Sequence, residues 1–213
     1  MSHPAMSMKV QAVCSEIFWA ARLNLMWMVF TLLGGVVLGL GPATMAAYVV
    51  ARRHARGESI QWRDYASAYR REFVRGSLLV LPVAVVATVL VGNLLYLSAP
   101  GTSPGTAAGG GLLVATYAAL VVLAAAGAYL GPLYAHYELP LRDYLPKASL
   151  VALTRPAATA LLLFALSAVA FVVATAPVLA PIVGVGAWIS LNTWLCQRFF
   201  EENEARLQAK GNQ

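Results

Sequence analysis

The sequence predicts an all-α, polytopic membrane helix bundle, and three observations predict it. Only 11% of the 213 residues are charged and 60% are apolar, against roughly 25% charged in a soluble domain. The charges are also clustered. No Asp, Glu, Lys or Arg occurs from Leu23 to Ala51, from Gly76 to Tyr137 or from Pro156 to Gln197. Finally, stretches such as Val80 to Leu97 lack the polar face that a soluble helix repeats about every 3.6 residues. This composition excludes a disordered chain. The net charge of +6 is too sparsely carried for a nucleic-acid-binding surface.

Taken in order, residues 1–21 form an interfacial helix. Val10, Val13, Ile17, Phe18 and Ala21 share one stripe, and Lys9, Ser15, Glu16 and Arg22 fall off it. The first residues lack the basic stretch of a cleaved leader. A crossing needs about 20 apolar residues for a core of about 30 Å. The first charge-free run therefore holds one span, near 22–45. The second is too long for one helix and is broken at Ala99-Pro100-Gly101 and again at Gly109-Gly110-Gly111. It gives spans near 74–98 and 111–135. The third is broken between Pro177 and Pro181 and gives spans near 157–176 and 181–199. Residues 200–213 are a tail, and 1–213 is a single integral membrane domain of five spans.

Two amphipathic helices lie between the spans. Trp62, Tyr65, Ala66, Tyr69 and Phe73 recur at helical spacing, with Arg63, Asp64, Arg70, Arg71 and Glu72 mostly off that stripe. The second, Leu141, Tyr144, Leu145 and Ala148, is shorter and interrupted by Pro146. The aromatic and basic residues Trp62, Arg63, Tyr65, Tyr69, Arg70, Arg71 and Phe73 form a surface for anionic lipid headgroups or for a docking partner.

Lys and Arg in short loops stay cytoplasmic. Segment 52–75 carries seven arginines, and 138–155 and the tail are also basic, whereas 99–110 and 177–180 carry no charge. The basic segments and the C-terminus are thus cytoplasmic, on the inner face of a bacterial cell membrane, and five spans put the N-terminus outside. If Gly41-Pro42 were instead a tight turn, with Thr44 to Ala51 dipping back, the N-terminus would be inside. An internal echo favours the single crossing. Leu40-Gly41-Pro42 is followed by Arg63-Asp64-Tyr65 and a span, and Leu130-Gly131-Pro132 by Arg142-Asp143-Tyr144 and a span. This is the pattern of a parallel two-unit repeat.

The residues offer little that could perform chemistry. No span carries an ionisable side chain in its middle, where proton relays and ion paths place one. His3, His54 and His136 lack metal-ligand spacing. Asp64 with Glu72, and Glu138 with Asp143, sit among basic residues and read as solvated ion pairs. Cys14 and Cys196 read as packing residues. Asn93, Tyr117 and Asn192 are the candidate intramembrane polar contacts. Either they join helices, or together they line a path for a polar solute. Gly35 with Gly39, and Gly127 with Gly131, have the small-x-x-x-small spacing that lets helices approach closely. The expectation is a non-enzymatic protein with no cofactor and no bound metal.

Asn24-Leu25-Met26-Trp27, then Gly41-Pro42-Ala43-Thr44-Met45-Ala46, then Glu72-Phe73, resembles the YesL family of small bacterial membrane proteins, itself a domain of unknown function. The positions that match are Asn24, Trp27, Gly41, Pro42 and Ala43. Pro42 is expected to end or kink the first span, and Gly41 to permit a close turn. The family is often encoded beside carbohydrate importers of the ATP-binding-cassette type. The resemblance therefore implies an accessory role in sugar uptake with importer subunits as partners, besides the lipid bilayer. A small stand-alone transporter or channel is the alternative.

Overall fold

The computed structural model describes the backbone of residues 3–99, 107–176 and 184–211, and side chains within 11–99, 109–176 and 184–198. Among these residues the chain is all helical: α1 His3–Leu33, α2 Val37–Ala55, α3 Trp62–Arg71, α4 Phe73–Leu97, α5 Ala107–His136, α6 Leu141–Thr154, α7 Pro156–Thr175 and α8 Val185–Gly211. Four stretches are long and apolar enough to cross a membrane: Val13–Leu33, Phe73–Leu97, Gly109–His136 and Pro156–Thr175. The most apolar windows of α4 and α7 are only 6% buried within the protein. Sides so apolar and so uncovered belong in lipid, and the protein is a multi-pass membrane protein.

α4, α5 and α7 begin and end within a few residues of the expected spans. The expected span at 22–45 is instead a helical hairpin. α1 runs unbroken through the expected interfacial segment to Leu33, and the chain reverses at Gly34-Gly35-Val36. Gly35 takes φ 74° and Val36 φ 62°. The Val37 amide bonds the Gly35 carbonyl at 2.8 Å, a γ-turn of the strained, positive-φ kind. α2 then packs antiparallel on α1. A Cβ on Gly34 would lie 2.3 Å from the Gly39 Cα, Trp27 Nε1 donates to Thr44 Oγ1 at 3.0 Å, and Trp19 stacks on His54 with ring centroids 3.9 Å apart. The glycines that looked like a helix-packing stripe are thus where the hairpin closes.

Pro42 neither ends α2 nor makes the turn. It sits inside the helix, where its missing N–H leaves the Leu38 carbonyl without a helical donor. Ser77 Oγ on α4 donates to that carbonyl at 3.2 Å. The second Gly-Pro behaves alike. Pro132 lies inside α5, and the Ala128 carbonyl it frees accepts from Asn192 Nδ2 on α8 at 2.8 Å. Beyond this the two halves differ. Tyr65 on α3 reaches back to the Ala43 carbonyl of α2, whereas Tyr144 on α6 bonds the neighbouring Tyr137 carbonyl.

α2 closes with a Schellman arrangement. The Gly57 amide bonds the His54 carbonyl and the Glu58 amide the Arg53 carbonyl, with Gly57 at φ 83°. Asp64 Oδ2 accepts from the Gln61 amide at 2.8 Å and starts α3. α6 continues through Pro146 rather than stopping there. α8 continues through the expected tail to Gly211. Of the expected loop at 99–110, residues 107–110 are already helical in α5 and 100–106 lie outside the described residues, as do the expected loop at 177–180 and the start of the span near 181.

Candidate functional site

The matched motif positions build a joint between helices. Asn24, 1% exposed, places its Oδ1 3.0 Å from the amides of both Val185 and Gly186. These are donors of the first turn of α8, which have no partner inside the helix. Trp27 ties α1 to α2 through Thr44, whose hydroxyl also donates to the Leu40 carbonyl at 2.7 Å. A Cβ on Gly41 would lie 2.6 Å from the Gly76 oxygen, so α2 and α4 touch backbone to backbone. The Ala43 carbonyl accepts the Tyr65 hydroxyl at 2.7 Å. Replacing Thr44 by valine should keep the shape and remove the acceptor for Trp27. The expected cost is about 1 kcal/mol, read as a fall of a few degrees in the thermal midpoint in detergent.

The aromatic stripe of α3 divides. Tyr65 and Tyr69 are buried, with ring centroids 5.0 and 5.1 Å from Phe30. Burial pushes the Tyr65 phenol well above its ordinary pKa. Trp62 and Phe73, at the two ends, stay exposed, as do Arg63, Arg70 and Arg71. The inner side of α3 is thus spent on packing, and its outer side is basic, with Trp62 at its start and Phe73 just beyond its end as the first residue of α4.

Asp64, Glu72 and Asp143 each bond groups other than the carboxylate the sequence pairs with them. Asp64 lies 3.6 Å from Arg53, which also bonds Glu58 at 2.6 Å; that hydrogen bond to Glu58 holds the guanidinium above its usual pKa. Glu72 is buried and takes the Tyr134 hydroxyl of α5 and the Arg71 Nε. Asp143 pairs with Lys147 at 3.8 Å. Glu72 with Tyr134 marks the end of the α4–α5 pair where the basic residues gather. The first half of α1 lies at this end too. Arg22 donates to the Ile60 carbonyl at 2.6 Å, and Glu16 lies 3.7 Å from His54.

The three intramembrane polar residues do not share a surface. Asn93 donates to Thr116 Oγ1 at 2.7 Å between α4 and α5. Asn192 is fully buried and holds the Tyr48 hydroxyl at 2.9 Å as well as the Ala128 carbonyl. Tyr117 is exposed on α5. Each asparagine has its partner within the protein, and none of the three lines the groove between α1, α2 and α8.

A groove of about 800 Å³ lies instead between α1, α2 and α8. Val13, Ile17, Ala51, Leu191 and Trp194 line it, with Glu16, His54 and Gln197 among its polar groups. A smaller cavity of about 320 Å³ adjoins it across Trp19 and His54. The walls of the larger groove come from opposite ends of the chain, so no local pattern announces it. Among the described residues no three His, Cys, Asp or Glu side chains gather as metal ligands.

A family described as "Protein of unknown function, DUF624" matches residues 20–94. The chain is 31% identical over 202 residues to the uncharacterized protein YesV of Bacillus subtilis (strain 168), across 94% of this chain and 95% of that protein. It is 30% identical over 152 residues to the uncharacterized protein YesL of the same organism, across 70% and 69%. The uncharacterized protein YteU, also of that organism, matches at 32% over 92 residues, across 42% and 41%. No solved structure matches the chain.

Proposed function

This chain belongs to the DUF624 family, and on that premise we propose that it is a non-enzymatic membrane subunit that docks a partner at its basic, cytoplasmic end, as an accessory of a carbohydrate importer of the ATP-binding-cassette type. The observation that carries the reading is the exposed start of α3. Trp62, 41% exposed, and Arg63 are open to the surroundings beside the exposed Arg56–Ser59 loop, on a helix anchored from behind by Tyr65 and Tyr69. Exposed tryptophan and arginine on a rigid element are what protein interfaces use as anchors. The buried polar groups support the non-enzymatic part, since Asn24, Asn93 and Asn192 are all engaged between helices. The basic residues support a cytoplasmic side for this end. The C-terminal half of α8 leads to the same side, as Gln197 shares the groove with Glu16, His54 and Gly57.

The test is affinity purification of the tagged chain from membranes in mild detergent. Permease or ATPase subunits are expected to co-purify. The Trp62→Ala, Arg63→Glu double variant should lose most of them while still reaching the membrane. Recovery of neither subunit, from membranes in which the importer stays assembled, would remove the reading.

A further inference from the structure

We propose that the α1–α2 hairpin is an in-plane anchor that lies in the cytoplasmic leaflet, with its apolar tip in the acyl chains and Arg70, Arg71 and Arg75 on anionic headgroups, and does not cross the bilayer.

The geometry of α2 carries this. Near its start, the Leu38 carbonyl takes the Ser77 hydroxyl of α4. Near its end, Arg52 donates to the Ala135 carbonyl of α5. Glu72 and Tyr134, bonded to each other, mark the basic end of that helix pair. Ser77 lies five residues beyond Glu72, about 7.5 Å along the helix, whereas Leu38 and Arg52 are about 21 Å apart along α2. The contacts that hold the two ends of a rod of about 21 Å thus sit within about 8 Å of one level. α2 lies across the end of the α4–α5 pair, and α1 is paired with it antiparallel from Trp19 to Gly34. Neither arm is directed through a core of about 30 Å.

The tip suits hydrocarbon. Leu32, Leu33, Val36, Val37 and Leu38 are each 54–72% exposed. Within the reversal the amides of Gly34, Gly35, Val36, Val37 and Leu40 have carbonyl acceptors, which lowers the cost of placing this backbone in hydrocarbon. Headgroup charge is answered beside it. A Cβ on Gly34 would lie 2.4 Å from the Tyr69 hydroxyl, so the last turn of α3 meets the tip. Arg70 and Arg71 on that turn, and Arg75 at the start of α4, are exposed, and basic side chains so placed are drawn to an anionic surface. An apolar edge flanked by arginines is the pattern of an interfacial anchor. It follows that the start of α1 and the Arg56–Ser59 loop share one side of the membrane.

The experiment uses the purified full chain, without any importer, in vesicles of phosphatidylglycerol and phosphatidylethanolamine. Its outcome is therefore separate from that of the affinity purification. Cys14→Ser removes the exposed thiol, and Cys196, being buried, stays. A nitroxide on Val36→Cys, or on Leu33→Cys should the strained turn reject cysteine, is expected to collide more with oxygen than with a water-soluble nickel chelate. It should also lie shallower than a nitroxide on Val89→Cys in α4. Gln11→Cys and Ser59→Cys should react with a membrane-impermeant maleimide from the same side. A tip that favours the nickel chelate would leave that patch to a protein partner, and labelling of positions 11 and 59 from opposite sides would mean that α1 crosses. Either result overturns the proposal.

Discussion

Replacing Asn24 by leucine is expected to lower the thermal midpoint of the detergent-solubilised protein by roughly 10 °C. The side chain is buried, and one oxygen serves two donors, the amides of Val185 and Gly186. Leucine keeps the branched shape and takes the acceptor away. An orphaned buried donor costs about 1–3 kcal/mol, so two cost about 2–6 kcal/mol. At roughly 2–4 °C per kcal/mol for a chain of this size, the middle of that range gives the stated fall. Water cannot readily replace the lost oxygen. A Cβ on Gly186 would lie 2.1 Å from the Ala20 carbonyl oxygen and 2.8 Å from the Asn24 nitrogen, so backbone closes the space. The same contacts join the two ends of the chain, and the loss should reach the groove between α1, α2 and α8. A fall of under about 3 °C by fluorescence-detected gel filtration after heating would show that the start of α8 is satisfied some other way.

The sequence makes α4, α5 and α7 legible because nothing competes with the signal. Each is an uninterrupted apolar run bounded by charge or by Gly and Pro. The hairpin is not legible, for a physical reason. The run from Leu23 to Ala51 has the length and composition of one crossing with some to spare, and its Gly-Gly pair also suits close helix packing. What breaks the helix at Gly34 is the seat that α4 offers to α2, where Gly41 meets Gly76. That contact joins residues far apart in sequence, and no local pattern contains it. Pro42 misleads for a related reason. A proline usually stops a helix, yet here the hydroxyl of Ser77 answers the carbonyl that Pro42 frees.

The site is legible in part. Spacing identifies α3 and its two sides, but not which side faces inward. Tyr65 and Tyr69 turn in because Phe30 and the Ala43 carbonyl await them. The asparagines stand out as amides in apolar helices, which must find partners. Those partners lie on other helices, as Tyr48 and Ala128 do for Asn192. The echo of Leu-Gly-Pro has a meaning that sequence alone does not supply. In both copies the freed carbonyl is where a polar side chain from another helix attaches.

Gly41→Ala should unseat the hairpin from α4, lowering the midpoint by roughly 6 °C. The added Cβ would meet the Gly76 oxygen at 2.6 Å and the Ser77 Cα at 2.7 Å. Both are backbone atoms of a helix and cannot swing aside, so α2 and α4 must part. Overpacking of this kind costs about 1–3 kcal/mol, and the Ser77 bond to the Leu38 carbonyl would lengthen with it. Gly76→Ala strains the same crossing from the other side, with its Cβ 2.9 Å from the Pro42 Cα. Once the helices have parted for one methyl group, the second finds room, so the double variant should lose less than the sum of the two. Gly127→Ala is the control. Nothing lies within 4 Å of its added Cβ, and alanine favours a helix over glycine by up to about 1 kcal/mol. Its midpoint should hold or rise. Equal losses at Gly41 and Gly127 would mean that α2 is not seated on α4 as described, because only a specific backbone contact separates the two substitutions.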